Sequence, residues 1–113
     1  ILAMQRSTGK DAGPGLWETL SGRVRHGESP LDAVVREIDE ECGLSVAVDP
    51  RPITAYEARR NHEPMIVIIY RADYLSGAVR RSEEHDRHAW LTPAEFAGIC
   101  RLPRLVEAVM AVA

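Results

Sequence analysis

The chain has 113 residues, of which 45% are hydrophobic and 27% charged, and this balance indicates one globular domain rather than a disordered or collagen-like protein. Its longest apolar run, over residues 65–70, is far shorter than the ~20 residues that cross a bilayer. Because of this short run we expect no membrane partner, and because the net charge is −3 we expect no nucleic-acid polymer as a partner. Two cysteines are too few for a disulfide framework, so we predict reduced thiols and a cytoplasmic location.

The chain opens within a predicted strand over residues 1–6. It has no initiator methionine, so we expect a further segment before Ile1 in the full protein. Glycine and proline in residues 7–15 predict a loop, and alternating apolar and polar side chains predict a strand over 16–20. A loop bounded by glycines follows over 22–28, and it leads into the clearest helix of the chain.

Strong local signals predict that this helix covers residues 30–42. Ser29 is a good N-cap, Pro30 suits the first helical position, and Asp32 stands where the acid of a capping box belongs. Gly43 fits the left-handed position that follows a helix end. Five apolar residues at helical spacing predict the buried stripe: Leu31, Val34, Val35, Ile38 and Cys42.

Strands dominate the remainder of the chain, and two helices close it. Residues 65–74 are rich in β-branched and aromatic side chains and predict the strongest strand. Weaker strands are predicted over 44–48, 53–58, 77–81 and 88–91. Helices are predicted from the cap Thr92 to about Ile99 and over 103–111, the latter with Leu105, Val106, Val109 and Met110 on one side. This order of elements predicts an α/β fold, a mixed sheet with helices on its faces.

Three carboxylates share one face of the helix over 30–42. At 100° per residue, Glu37, Glu40 and Glu41 fall within an arc of about 100°, and the small Ala33 lies on the same face one turn earlier. Residues 28–41 hold six acids and one base, and anions at a helix C-terminus are unfavourable. The pattern predicts a compensating hard divalent cation, Mg²⁺ above all, whereas three glutamates alone also fit a solvated acidic face.

The acidic face lies within a longer pattern, G-x5-E-x7-R-E-U-x-E-E-x-G-U, in which U is a bulky aliphatic residue. The chain matches this pattern without a gap over residues 22–44, at Gly22, Glu28, Arg36, Glu37, Ile38, Glu40, Glu41, Gly43 and Leu44. The pattern is the Nudix box, so the chain resembles the Nudix, or MutT-like, hydrolases. Gly22 permits a tight turn, and Arg36 borders the acidic face, where it can pair with Glu28, Glu37 or Glu40.

The resemblance implies a single Nudix domain over residues 1–113, folded as an α/β/α sandwich around a mixed sheet. It also implies hydrolysis of a nucleoside diphosphate derivative with Mg²⁺, for which Mn²⁺ can substitute. The metal ligands would be Glu37, Glu40 and Glu41, and the general base would be Glu37 or Glu41, a choice that the resemblance leaves open. Many relatives dimerise, which makes a homodimer a weak expectation.

The resemblance extends to residues outside the metal ligands. Glu84-His85 precedes Trp90 at a spacing similar to that in dinucleoside polyphosphate hydrolases, which implies Glu84 as a further ligand or base; an exposed acidic loop is the alternative. Arg36 is expected to act at the catalytic site by orienting the acids. We expect Arg6, Gly22 and Glu28 to contact the substrate, although a surface arginine is the alternative for Arg6.

The first hypothesis is therefore a Mg²⁺-dependent Nudix pyrophosphohydrolase whose small-molecule substrate is a nucleoside triphosphate or a dinucleotide polyphosphate. The alternative is a nucleotide-sensing regulatory Nudix domain that binds without turnover. A prenyl diphosphate isomerase is disfavoured, because neither Cys42 nor Cys100 has a convincing position for that chemistry.

Overall fold

The computed structural model describes residues 1–9, 13–80 and 82–112. The described residues form seven strands and three helices in two compact units, Ile1–Leu20 with Arg81–Ala113 and Ser21–Arg80. The elements are β1 (Leu2–Arg6), β2 (Trp17–Glu18), α1 (Pro30–Cys42), β3 (Ser45–Val48), β4 (Thr54–Arg60), β5 (Glu63–Ile69), β6 (Ala72–Ser76), β7 (His85–Trp90), α2 (Pro93–Ile99) and α3 (Pro103–Ala111). Among the described residues, no helix has the length and apolar character of a membrane span.

The first unit is built on a three-stranded sheet in the order β2-β1-β7, with both pairings antiparallel. The helices α2 and α3 contact each other in the same unit. Their predicted positions are confirmed, including Thr92, whose side chain completes a capping box with Glu95. The largest fully buried side chains of the unit are those of Met4 and Phe96. This unit therefore contains buried apolar side chains from both its sheet and its helices.

The second unit contains α1, whose predicted bounds are confirmed. The Ser29 hydroxyl accepts the Asp32 backbone N–H at 3.1 Å, and Pro30 occupies the first turn. Gly43 ends the helix with φ 69°, a left-handed conformation that a side chain would strain. Both termini are therefore fixed by adjacent residues, which is why the sequence located them correctly.

The strand predicted over 65–74 is wrong as one element, because it is two strands with different partners. β5 pairs with β4, whereas β6 pairs with β3, and both pairings are antiparallel. The Ile69 carbonyl accepts from Ile53, while two residues later the Arg71 carbonyl accepts from Asp49. The change of partner falls within a continuous run of strand-forming residues, so composition does not reveal it.

Other boundaries and faces also need correction. Residues 77–80 form no strand, because Gly77 adopts φ 107° and the Arg80 amide bonds to the end of α1; Arg81 lies outside the described residues. β2 is shorter than predicted, and β7 begins three residues earlier. Of the predicted stripes, Val35 and Met110 are about half exposed. Ala33, which the helical spacing places on the acidic face, is buried.

Removal of the α1 N-cap should destabilise the protein. We expect Ser29→Ala to lower the free energy of unfolding by about 1 kcal/mol, because the Asp32 amide loses its acceptor. Urea denaturation measures this change. The matched control is Ser45→Ala at the exposed start of β3, which should change stability by less than about 0.5 kcal/mol. Equal effects of the two substitutions would contradict the cap.

Candidate active site

The site is organised by the guanidinium of Arg36 in α1, which binds two segments of the chain. Its Nε and Nη2 donate to the two carboxylate oxygens of Glu28 at 2.8 and 3.0 Å. Its Nη1 donates to Glu37 at 2.8 Å and to Glu40 at 3.1 Å, and Nη2 also donates to the Arg23 carbonyl at 2.9 Å. These five bonds match the five N–H donors of a guanidinium. Arg36 thus joins the loop before α1 to two glutamates of the helix, as predicted.

The paired charges are strongly stabilised in their ionised forms. The hydrogen bonds from Arg36, and then the one from the Arg25 backbone N–H, lower the pKa of Glu28 to about 2. The same contacts with Glu28 and Glu37 raise the pKa of Arg36 above its ordinary value. The bidentate pair with Glu28 therefore keeps both partners charged at every physiological pH.

The three predicted metal ligands have different environments. Glu37 is partly buried beside Arg36, Glu40 is exposed and lies 3.7 Å from the Arg25 guanidinium, and Glu41 is buried at 7% exposure. Within residues 1–9, 13–80 and 82–112, no three ligating side chains come together as a metal site. Their carboxylate oxygens are the donors that Mg²⁺ prefers, so the donor set fits such an ion in its chemistry.

Gly22, the first residue of the box, faces the side chain of Glu37. A Cβ atom added to Gly22 would overlap the Cγ, Cδ and Oε1 atoms of Glu37. The absence of a side chain at Gly22 therefore makes room for the Glu37 carboxylate that Arg36 holds. This role involves the site directly, whereas the sequence suggested only a tight turn. Because the clash involves the end of a flexible side chain, a larger residue would displace Glu37 rather than the backbone.

Arg80 is a site neighbour that the sequence did not suggest. Its backbone N–H donates to the Cys42 carbonyl at 2.9 Å, and its Nη2 lies 3.4 Å from the Asp39 carbonyl. A cation at this position opposes the negative end of the α1 dipole, where α1 itself has no basic residue. No sequence signal pointed to this contact, since Arg80 is 41 residues from Asp39.

Two predicted residues, Arg6 and Glu84, lie in the first unit. The Arg6 Nη1 binds Glu18 at 3.1 Å. Glu84 is exposed immediately before β7, and its carbonyl accepts from Ser7. Their proposed roles toward a substrate or metal stay predictions. Glu18 was not identified from the sequence as a buried residue. Its place between Leu16 and Leu20 on one face of the predicted strand over 16–20 was a signal of a buried polar contact.

Both cysteines are buried free thiols. Burial is the largest cause that raises the pKa of Cys42, and the same holds for Cys100. A thiol of raised pKa is a poor nucleophile at neutral pH. The cysteines therefore supply no nucleophile for a covalent mechanism.

The chain is similar to a known family and to known proteins over most of its length. The family model described as "NUDIX domain" matches residues 1–109. A "MutT-like protein" of Streptomyces ambofaciens is 32% identical over 97 residues, which are 86% of this chain and 58% of that protein. The "CTP pyrophosphohydrolase" of Escherichia coli (strain K12) is 29% identical over 114 residues, 98% of this chain and 82% of that protein. The chain thus spans less than two thirds of the Streptomyces relative.

A solved structure shows the same fold. The MutT protein from Methanosarcina mazei Go1 superposes with a TM-score of 0.83, covers 97% of this chain and 80% of its own, and is 23% identical. At that identity the likeness extends to the fold alone. The predicted α/β fold is thereby confirmed.

Removal of the Arg36 guanidinium should release Glu28. We expect Arg36→Met to raise the pKa of Glu28 from about 2 toward its ordinary 4.5, as measured by carboxyl ¹³C NMR titration. A lowered pKa in the folded state stabilises the protein above pH 4.5, and this stabilisation is lost as the pH falls through about 2. The variant should therefore lose less stability across that acidic range.

The matched control for this titration is Arg51→Met. Arg51 lowers the pKa of Asp49 through hydrogen bonds from its backbone and side chain, and it has no contact with Glu28. The control should raise the pKa of Asp49 and leave that of Glu28 unchanged. A Glu28 that still titrates near pH 2 in Arg36→Met would refute the pairing.

Proposed function

Because the chain belongs to the Nudix family, we propose that it hydrolyses the pyrophosphate linkage of a nucleoside diphosphate derivative. The observation that carries the proposal is the intact box, in which one arginine holds Glu28, Glu37 and Glu40 together. A nucleoside triphosphate is the favoured substrate, which the name of the Escherichia coli relative supports. A dinucleotide polyphosphate is the second, supported by the Glu84-His85 spacing.

The proposed cofactor is Mg²⁺, with Mn²⁺ as a substitute, held by Glu37, Glu40 and Glu41. When bound, such an ion neutralises charge on the pyrophosphate and activates a water molecule. Arg36 binds one oxygen of Glu37 and one of Glu40, and the other Glu40 oxygen lies 3.7 Å from the Arg25 guanidinium, so an ion held by Glu40 would take the place of Arg25. The Arg36 guanidinium thereby holds both carboxylates on the same side of α1.

The protein groups then divide the remaining work. Glu37 or Glu41 accepts the proton of the attacking water, and Glu84 is a further ligand or base. Glu28 and Gly22 keep the loop before α1 close to Glu37, where its backbone can contact phosphate, and Arg6 is assigned to the substrate. A homodimer and a cytoplasmic location remain predictions.

A carboxylate of the acidic face should be required for activity. We expect Glu41→Gln to lower the rate of nucleoside triphosphate hydrolysis with Mg²⁺ by about 10²-fold or more, because an amide neither takes a proton nor carries the charge. Phosphate and pyrophosphate release, with product identification, measures the rate. Removal of the metal with EDTA should abolish it.

The matched control is Asp39→Asn on the same helix. Asp39 is exposed and lies about 200° from Glu37 around the helix axis, away from the acidic face. This variant should keep wild-type activity. An unchanged rate in Glu41→Gln would contradict the metal-site assignment. Nucleotide binding by the wild type without turnover, measured by calorimetry, would instead favour a regulatory domain.

Gly22 offers a second test of the same geometry. We expect Gly22→Ala to lower activity by at least about tenfold, since the added Cβ displaces the Glu37 carboxylate. Stability should change by less than about 1 kcal/mol, because only a flexible side chain has to move. Gly98→Ala in α2 is the control, since a Cβ there meets nothing within 4 Å. Full activity of Gly22→Ala would show that Glu37 has no fixed position in catalysis.

A further inference from the structure

The first unit contains a buried polar cluster of which the proposed chemistry uses only Arg6. Glu18 is 7% exposed and His85 6% exposed, and the side chain of Arg6 is 15% exposed. The Glu18 carboxylate lies 2.9 Å from the His85 Nε2 and accepts from the Arg6 Nη1 at 3.1 Å. One carboxylate therefore joins β2 to the ends of β1 and β7.

The register of the sheet is irregular at this cluster. Gln5 pairs with Arg87, so a regular antiparallel ladder would place Asp86 opposite Arg6. A one-residue shift places His85 there instead. Bulges of this kind redirect side chains and are common beside active sites. Here the shift brings the imidazole, rather than the Asp86 carboxylate, opposite Arg6, and Glu18 supplies the negative charge from the neighbouring strand.

The cluster also fixes the backbone of Glu84. Glu84 directly precedes His85, whose buried side chain contacts Glu18. The main chain at Glu84 therefore cannot move far unless the contact between His85 and Glu18 is broken. On its other side, the Glu84 carbonyl accepts from the Ser7 N–H at 2.8 Å, and the Glu84 N–H donates to the Ser82 hydroxyl at 3.2 Å. An exposed glutamate is thus carried on a backbone that β1 and β2 hold in place.

We propose that Glu18 is a positioning residue for Glu84, acting through the contacts of its buried carboxylate with His85 and Arg6. This inference rests on the proposed function, in which Glu84 serves the hydrolysis. Arg6 then has a positioning role as well, since its guanidinium is bound to Glu18.

The burial of these groups favours positioning over stabilisation. Charged groups lose hydration when they are buried, and well-packed apolar residues of similar volume are often equally stabilising. The desolvation of such a cluster is better explained by the need to fix the position of a neighbouring group than by a gain in stability. This cluster lies at the bulge adjacent to Glu84. Misplacement of a catalytic group by about 1 Å can lower a rate by about 10²-fold.

A double-mutant cycle tests the inference with the full chain, Mg²⁺ and a nucleoside triphosphate. Glu18→Gln should lower kcat by about tenfold to a hundredfold with little change in KM, because the Gln amide group faces the Arg6 and His85 donors. Glu84→Gln should lower kcat as well. In kcat the double variant should be no slower than Glu84→Gln alone, since the effect of Glu18 on kcat passes through Glu84, whereas an effect through the substrate contact of Arg6 would change KM. Glu107→Gln on the surface of α3 is the matched control and should keep wild-type kcat.

A second readout needs neither metal nor nucleotide. In ¹⁵N-¹H spectra, Glu18→Gln should shift the amide signals of Ser7 and Glu84, whereas Glu107→Gln should not. If Glu18→Gln does not fold, His85→Gln, which leaves the Arg6–Glu18 pair in place, takes its position in the cycle.

The outcomes separate this inference from the proposed function. Additive losses in the double variant, or wild-type kcat in Glu18→Gln, overturn the positioning role while the hydrolase proposal stands. An active wild type whose kcat is unchanged by Glu84→Gln overturns it too. A wild type that hydrolyses no pyrophosphate linkage refutes the proposed function, and the inference fails with it.

Discussion

The arrangement of the candidate site depends on one side chain, the Arg36 guanidinium. It is the only base among residues 28–41, and all five of its N–H donors have acceptors in the loop before α1 or in α1 itself. Without it, Glu37 and Glu40 would repel each other on adjacent turns, and Glu28 would lose the hydrogen bonds that hold it near them. A surface ion pair contributes little, but a bidentate, partly buried pair within a network defines geometry.

Arg36 cannot compensate the whole acidic helix, so cations from outside the helix are needed. The last turn of α1 contains Glu40 and Glu41 and no basic residue, although a helix dipole favours cations at that end. Arg80 lies against the Asp39 carbonyl, and Arg25 approaches Glu40 from the loop. Arg80 follows β6, whereas Arg25 lies in the loop that leads into α1. The helix is therefore formed by local signals, but its charge pattern is tolerable only in the folded unit.

This difference between local signals and contacts formed only on folding explains what the sequence could and could not predict. The limits of α1 were predicted correctly because Ser29, Pro30 and Gly43 act on their immediate neighbours. Glu28, Glu37 and Glu40 were each predicted as possible partners of Arg36, but helical spacing explains Glu40 alone, because Glu28 lies before α1. The break between β5 and β6 was missed, because it depends on pairing with β4 and β3, which composition does not encode. The Arg80 contact and the burial of Ala33 and Glu41 likewise depend on tertiary packing.

The saturation of Arg36 also limits what this residue does chemically. A guanidinium whose five donors are occupied binds a substrate phosphate only by releasing one of its present acceptors. Release of Glu28 would remove the hydrogen bonds that lower its pKa to about 2, and release of Glu37 would free a proposed ligand. Either exchange weakens the arrangement that the proposed reaction uses. Arg36 is therefore better suited to hold the acids than to bind phosphate. The positive charge that neutralises the substrate phosphates has to come from a bound cation or from another basic residue.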